Sequence, residues 1–228
     1  MINIKEEFCS LKKIYHYTTF QTALKILKSK SLRFGRMNGM NDIHENDKQC
    51  FVDDNKEHLD SFSSEVLEAL QNELFKYRQI SFSIDEEGKV GFDLHQMWGL
   101  YADKGNGVCL VFDKDELERK LDANIVSNKV SYNEQVDSYV VSISDGPNNV
   151  PDEVSSNVLN LFFHKRKEWE HEQEFRLIKR CPVIQKEEYI PCGDALKYII
   201  MSSKLLNEDD CLFNQRIQEI KLKRSSCA

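Results

Sequence analysis

The chain has 228 residues, a formal net charge of −7 and seven cysteines. That length supports one large domain with a sizeable core, and the acidic balance lacks the basic footprint of a general nucleic-acid binder. Its 40% hydrophobic and 30% charged residues separate it from a disordered segment.

The cysteine count is odd and no two cysteines stand in CxxC spacing, the usage of free thiols in a reducing compartment. Residues 1–12 hold no apolar h-region and no apolar run approaches the length of a membrane span. A soluble, cytoplasmic protein with no membrane partner is expected.

In chain order, residues 13–18 alternate and predict a strand. A helix follows, capped by Thr18 or Thr19, with Ala23, Leu24, Ile26 and Leu27 as its buried stripe. Residues 31–34 predict a short strand, and 35–48, rich in Gly and Asn, a loop. Helical spacing of Val66, Leu67, Leu70 and Leu74 marks 63–76. Residues 78–84 read as a strand, 93–103 as a short helix and 107–112 as a buried strand, followed by a helix from Asp113. Residues 124–132 are extended, and turn formers over 142–151 make a loop. A long amphipathic helix is expected over 152–168, strands over 172–179, 183–190 and 196–201, a helix over 207–216 and a last strand over 217–223. Strands and helices interleave irregularly. That pattern argues for α+β with a curved mixed sheet and flanking helices, in a single domain over 1–228. Neither GxGxxG nor a P-loop is present.

Five clusters could carry chemistry. On the first strand His16 and Thr18 share one face, with Tyr15 and Tyr17 on the other. Such a His either offers a ring nitrogen to a ligand hydroxyl or is a satisfied core residue. Asn41 and Asp42, with His44 and Glu45, either cap a helix or wall a cleft. Arg33 and Arg36 before them suit a phosphate, or the open surface. The hydroxyls of Ser81 and Ser83 face one way on their strand, opposite Phe82. Trp98 and Tyr101 share a helix face, as core or as the wall of a pocket for a flat ring. Strand alternation over the fifth cluster puts Phe175 and Leu177 on one face and Glu172, Glu174, Arg176 and Ile178 on the other. Two carboxylates buried together there would raise the pKa of at least one. The alternative is a solvated face with Arg176 offsetting the charge. The basic run Lys165-Arg166-Lys167 reads as a solvated helix end. His164, Glu168, His171 and Glu172 lack any HExxH or Cys/His spacing, so no metal site is expected.

In this order the clusters resemble a bacterial family catalogued as domain of unknown function 2971. Its pattern is matched by His16-Tyr17-Thr18, Asn41-Asp42 with Glu45, Ser81-Phe82-Ser83, Met97-Trp98 to Tyr101-Ala102 with Gly107-Val108, and Trp169 to Arg176. Ile43 stands where that family commonly has Pro. The family is in turn similar to ADP-ribosyltransferases, including DNA-targeting toxins of toxin–antitoxin systems. This second resemblance implies a split, curved sheet holding NAD as substrate. It implies that His16 bonds a ribose, that Thr18 and Arg33 contribute to NAD binding, and that Ser81 and Ser83 orient the catalytic carboxylate. Trp98 or Tyr101 would stack on nicotinamide. Glu174 would stabilise the oxocarbenium-like transition state, and Glu172 would position or deprotonate the acceptor. The implied acceptor is a protein, a nucleic acid or water, and the implied setting is a toxin or anti-phage effector with an antitoxin or defence-system partner. A non-catalytic sensor or interaction module on the same fold is the other reading.

Overall fold

A computed structural model describes residues 11–37, 51–53, 63–86, 88–133, 141–143, 147–183 and 186–202. The elements run β1 (Lys13–Thr18), α1 (Phe20–Ser29), β2 (Ser31–Arg33), β3 (Gly35–Arg36), β4 (Phe51–Asp53), α2 (Ser64–Leu74), β5 (Tyr77–Ile84), α3 (His95–Leu100), β6 (Val108–Asp113) and α4 (Lys114–Glu118). They continue with β7 (Ile125–Lys129), β8 (Ser131–Asn133), β9 (Val141–Ile143), α5 (Val150–Ser156), α6 (Val158–Phe162), β10 (His164–Arg166), β11 (Glu174–Arg180), β12 (Tyr189–Pro191) and β13 (Leu196–Met201). Short 3₁₀ helices cover Asp103–Gly105 and Lys167–Glu172. The architecture is α+β with antiparallel sheets and flanking helices. Among the described residues, parallel pairing occurs in β8 with β10 and β4 with β9. The chain divides into two compact units, one from Met1–Leu32, Ile84–Lys120 and Pro191–Ala228, the other from Arg33–Ser83 and Leu121–Ile190. No helix of the described residues is long and apolar enough to cross a membrane. The elements expected over 207–216 and 217–223 lie outside the described residues.

In the first unit β6 pairs antiparallel with β1 on one side and β13 on the other. Val108 to Phe112 are all buried, because a central strand covered on both faces needs a continuous apolar run rather than alternation. Thr19 caps α1, its hydroxyl accepting from the Thr22 N–H at 3.2 Å. Lys30 closes the helix in the left-handed region, φ 52°, with its N–H on the Ile26 carbonyl. Tyr15 and Tyr17 pack with Leu94, Met97, Ala102, Cys109 and Val111. The helix expected over 93–103 is shorter. It stops at Leu100, and the chain then turns through Asp103, Lys104 and Gly105, all at positive φ. Gly107 completes that turn against the Thr18 carbonyl and the Ala102 backbone, where a Cβ has no room. The turn is what delivers the chain into β6.

The second unit carries an antiparallel sheet in the order β3, β5, β11, β7. Ser63 caps α2 through the Val66 N–H. Val66 and Leu70 pack with Tyr77, Val150, Val154, Phe162, Phe163 and Ile178. The single long helix expected over 152–168 is not formed. Asn157 leaves helical geometry at φ −108°, ψ 19°, and its backbone and side-chain amides both donate to the Glu153 carbonyl, at 3.1 and 2.9 Å. An Asn amide competes with helix propagation in this way. Beyond α6 the Phe163 carbonyl accepts the Ser131 N–H at 2.8 Å, and the chain runs on as β10, paired with β8. The run at 165–167 is therefore not a solvated helix end: Lys165 lies on β10 and is buried.

Candidate functional site

The densest chemistry sits in the second unit, where β5, β8, β10 and β11 meet the 3₁₀ helix Lys167–Glu172. Antiparallel register sets Ser83 opposite Glu174 and Ser81 opposite Arg176. Directly paired residues point to the same side, and residues two apart share a face, so these four side chains lie on one surface of the sheet. Parallel register on the second pair sets Tyr132 beside Lys165.

Glu174 and Glu172 do not alternate along one strand as the sequence suggested. Gln173 adopts the left-handed region at φ 47°, ψ 53°, and Glu172 ends the 3₁₀ helix before it. The two carboxylates are joined instead through a cation. Lys165 Nζ lies 2.6 Å from Glu172 Oε2 and 3.2 Å from Glu174 Oε2. Arg176 meets Glu174 with two parallel bonds, Nε and Nη2 each 2.7 Å from one carboxylate oxygen. Its Nη1 donates to the Phe162 carbonyl at 2.8 Å, where α6 ends. The Glu174 N–H donates to the Tyr132 hydroxyl at 2.9 Å. All four ionic side chains are deeply buried, with Arg176 1% and Glu174 4% exposed.

Burial alone pushes the Glu174 carboxyl up. The charges of Arg176 and Lys165, with hydrogen bonds from Arg176 and Ser81, outweigh it and hold the group at about 2. The raised carboxyl expected for two buried neighbours is not found at Glu174, where the charges of Arg176 and Lys165 reverse the sign. Burial, and the negative charge of Glu174 beside it, push the Tyr132 phenol up, so it stays neutral. His164, on β10, is lowered by burial and then by the charge of Arg176. The Lys165 ammonium also lies 5.1 Å from the centre of the Trp169 ring, whose face stabilises the cation.

Ser81 hydrogen-bonds the Glu174 carboxylate and also receives the Gln79 side-chain amide at 3.2 Å. Ser83 is fully buried opposite Glu174, and its hydroxyl makes no hydrogen bond among the described residues.

The remaining expected site residues are distributed as follows. His16 is half-buried on β1, opposite Leu110, and Thr18 is buried at the end of the same strand. The split of faces holds, since Tyr15 and Tyr17 are the pair that enters the aromatic cluster. Trp98 packs edge-on to Tyr17, ring centres 5.2 Å apart, and spends its indole N–H on the Phe92 carbonyl at 2.9 Å. Tyr101 packs against the same cluster. Arg33 is exposed and ion-paired with Glu187 at 2.9 Å. Asn41, Asp42, His44 and Glu45 lie outside the described residues. No group of three or more His, Cys, Asp or Glu among the described residues could hold a metal ion.

Sequence reasoning missed Lys165 and Tyr132. Lys165 sits inside a basic tripeptide whose flanks are exposed or half-exposed, so composition hides it. Tyr132 comes from a three-residue strand whose partner strand lies beyond two helices, and no local pattern announces that pairing.

Residues 97–177 match a family model described as protein of unknown function (DUF2971). That span contains the Met97 to Val108 and Trp169 to Arg176 motifs, and begins after Ser81-Phe82-Ser83. No curated protein and no solved structure is detectably similar to the chain.

Proposed function

We propose that the chain is an ADP-ribosyltransferase-like enzyme that uses NAD as substrate, transferring ADP-ribose to a macromolecular acceptor or to water, in a bacterial toxin or anti-phage setting. The observation that carries this reading is the Ser81 hydroxyl held on an ionised Glu174 across paired strands. Cleavage breaks the bond between nicotinamide nitrogen and ribose C1′, the electron pair leaving with nicotinamide. The acceptor oxygen or nitrogen then bonds C1′ and gives its proton to a base, the role assigned to Glu172. Positive charge grows on the sugar during departure, and a fixed carboxylate stabilises it more in the transition state than in the ground state. Glu174 can do this only when Arg176 yields one of its two bonds to the carboxylate.

The test is release of nicotinamide from NAD by purified protein, with Glu174→Gln beside wild type. Loss of release in the variant supports the proposal, and equal rates, or no release by wild type with water, protein or DNA as acceptor, refute it. His16→Ala tests the ribose contact that the resemblance implies: the proposal expects a raised KM for NAD. In bacteria, wild type but not Glu174→Gln should arrest growth and lower cellular NAD.

The engagement of both Glu174 oxygens by Arg176 favours a second reading, a non-catalytic sensor or interaction module. Two carboxylates balanced by two cations offer no net charge to a ligand. Under this reading NAD neither binds nor is consumed.

A further inference from the structure

We propose that Lys165 is a positioning residue that places the Glu172 and Glu174 carboxylates side by side and keeps Glu174 ionised inside the protein. The inference deepens the NAD reading, since it identifies what prepares that reading's catalytic pair.

The case is geometric. Glu172 belongs to a 3₁₀ helix and Glu174 to a strand, with a left-handed residue between them. Backbone geometry therefore does not align the two side chains, and one ammonium within 3.2 Å of both does. Lys165 is itself fixed from two directions, by the β10–β8 pairing and by the Trp169 ring. Its stem is buried, so the charge cannot retreat to water. The groups that face Glu174 are Lys165 from β10, Arg176 from β11, Tyr132 from β8, Ser81 from β5 and Glu172 from the 3₁₀ helix. His164 faces Arg176. Arg176 engages both oxygens of Glu174, while Lys165 is in contact with both carboxylates and so ties the pair together. A cation at this distance holds a carboxyl down by about one to three pH units.

The experiment follows the side-chain carboxyl carbons of glutamate-labelled full-length protein by NMR against pH, Glu174 being identified by the signal lost in Glu174→Gln. Wild type should show no Glu174 step down to the acid edge of the folded range. In Lys165→Met a Glu174 step should enter that range, and Lys165→Arg should restore the wild-type behaviour. An unchanged Glu174 curve in Lys165→Met overturns the proposal whether or not the protein cleaves NAD. If Lys165→Met does not fold, Lys165→Gln takes its place: it keeps a hydrogen-bond donor and removes the charge, so a Glu174 step should still enter the folded range, and its absence overturns the proposal. Nicotinamide release in the same variants reads the catalytic side. The acid limb of the pH profile should move up in Lys165→Met and return in Lys165→Arg, while wild type inert toward NAD refutes the enzymatic reading and leaves the titration to judge Lys165.

Discussion

Replacing Glu174 by Gln removes one negative charge from a buried cluster and leaves its shape nearly unchanged. Two routes give the size of the effect. The carboxyl is held at about 2 against an ordinary 4.5, and at about 1.4 kcal/mol per pH unit this difference is worth about 3 kcal/mol. Breaking a buried ion pair by removing one partner costs about 3–5 kcal/mol, because the other charge is left uncompensated. Arg176 is that other charge, and it is 1% exposed. The two routes agree, so a loss of about 3–4 kcal/mol is expected at pH 7. The sign with pH follows from a depressed carboxyl. Its stabilisation is fully present above the unfolded-state value and is lost as pH falls through the folded-state value, so the window runs from 4.5 down to about 2. Urea unfolding followed by far-UV circular dichroism, at pH 7 and at steps downward, measures the gap between wild type and variant. The gap should close as acid protonates wild type. A gap that stays constant across that window, or one below about 0.5 kcal/mol at pH 7, would refute the claim that an ionised Glu174 organises this cluster.

A contrast is Glu73 at the end of α2, bonded to Lys76 at 2.7 Å and Arg180 at 2.5 Å. Both cations keep a quarter or more of their side chains in solvent, so Glu73→Gln should cost less, about 1.5–3 kcal/mol by urea unfolding. The hydrogen bonds and charges of Arg180 and Lys76 outweigh its burial and hold Glu73 below the usual range, so this contribution too fades as pH drops below that of an ordinary glutamate. Gly107→Ala would set a methyl against backbone atoms of Thr18 and Ala102. Backbone cannot step aside, and a lowered Tm is expected, corresponding to about 1–3 kcal/mol or more. Burial pushes the Cys109 thiol up, so in native protein it should resist a thiol reagent that labels it after unfolding, as counted by mass spectrometry.

Several features of the fold follow from local chemistry, which is why the chain alone announces them. The limits of β1 and β13, a threonine cap on α1 and the core run into Phe112 depend on periodicity and on hydrogen bonds between near neighbours. The register that sets Ser83 opposite Glu174 and Ser81 opposite Arg176 joins strands far apart in the chain, and no local pattern announces it. Periodicity failed where backbone leaves its regular form for a reason outside the helical or strand pattern. Asn157 breaks an apparently continuous amphipathic helix, and Gln173 takes a left-handed turn that sends Glu172 into one element and Glu174 into another.

By itself the sequence determined which segments are helix or strand wherever a repeat of 2 or 3.6 runs unbroken, and it marked the glutamates, serines and aromatics worth watching. Tertiary structure alone decided what those groups are charged against. Lys165, Arg176 and Tyr132 reach Glu174 from three strands, and a carboxyl's ionisation depends on the sum of burial and nearby charge at one point in space, a quantity that sequence spacing does not carry.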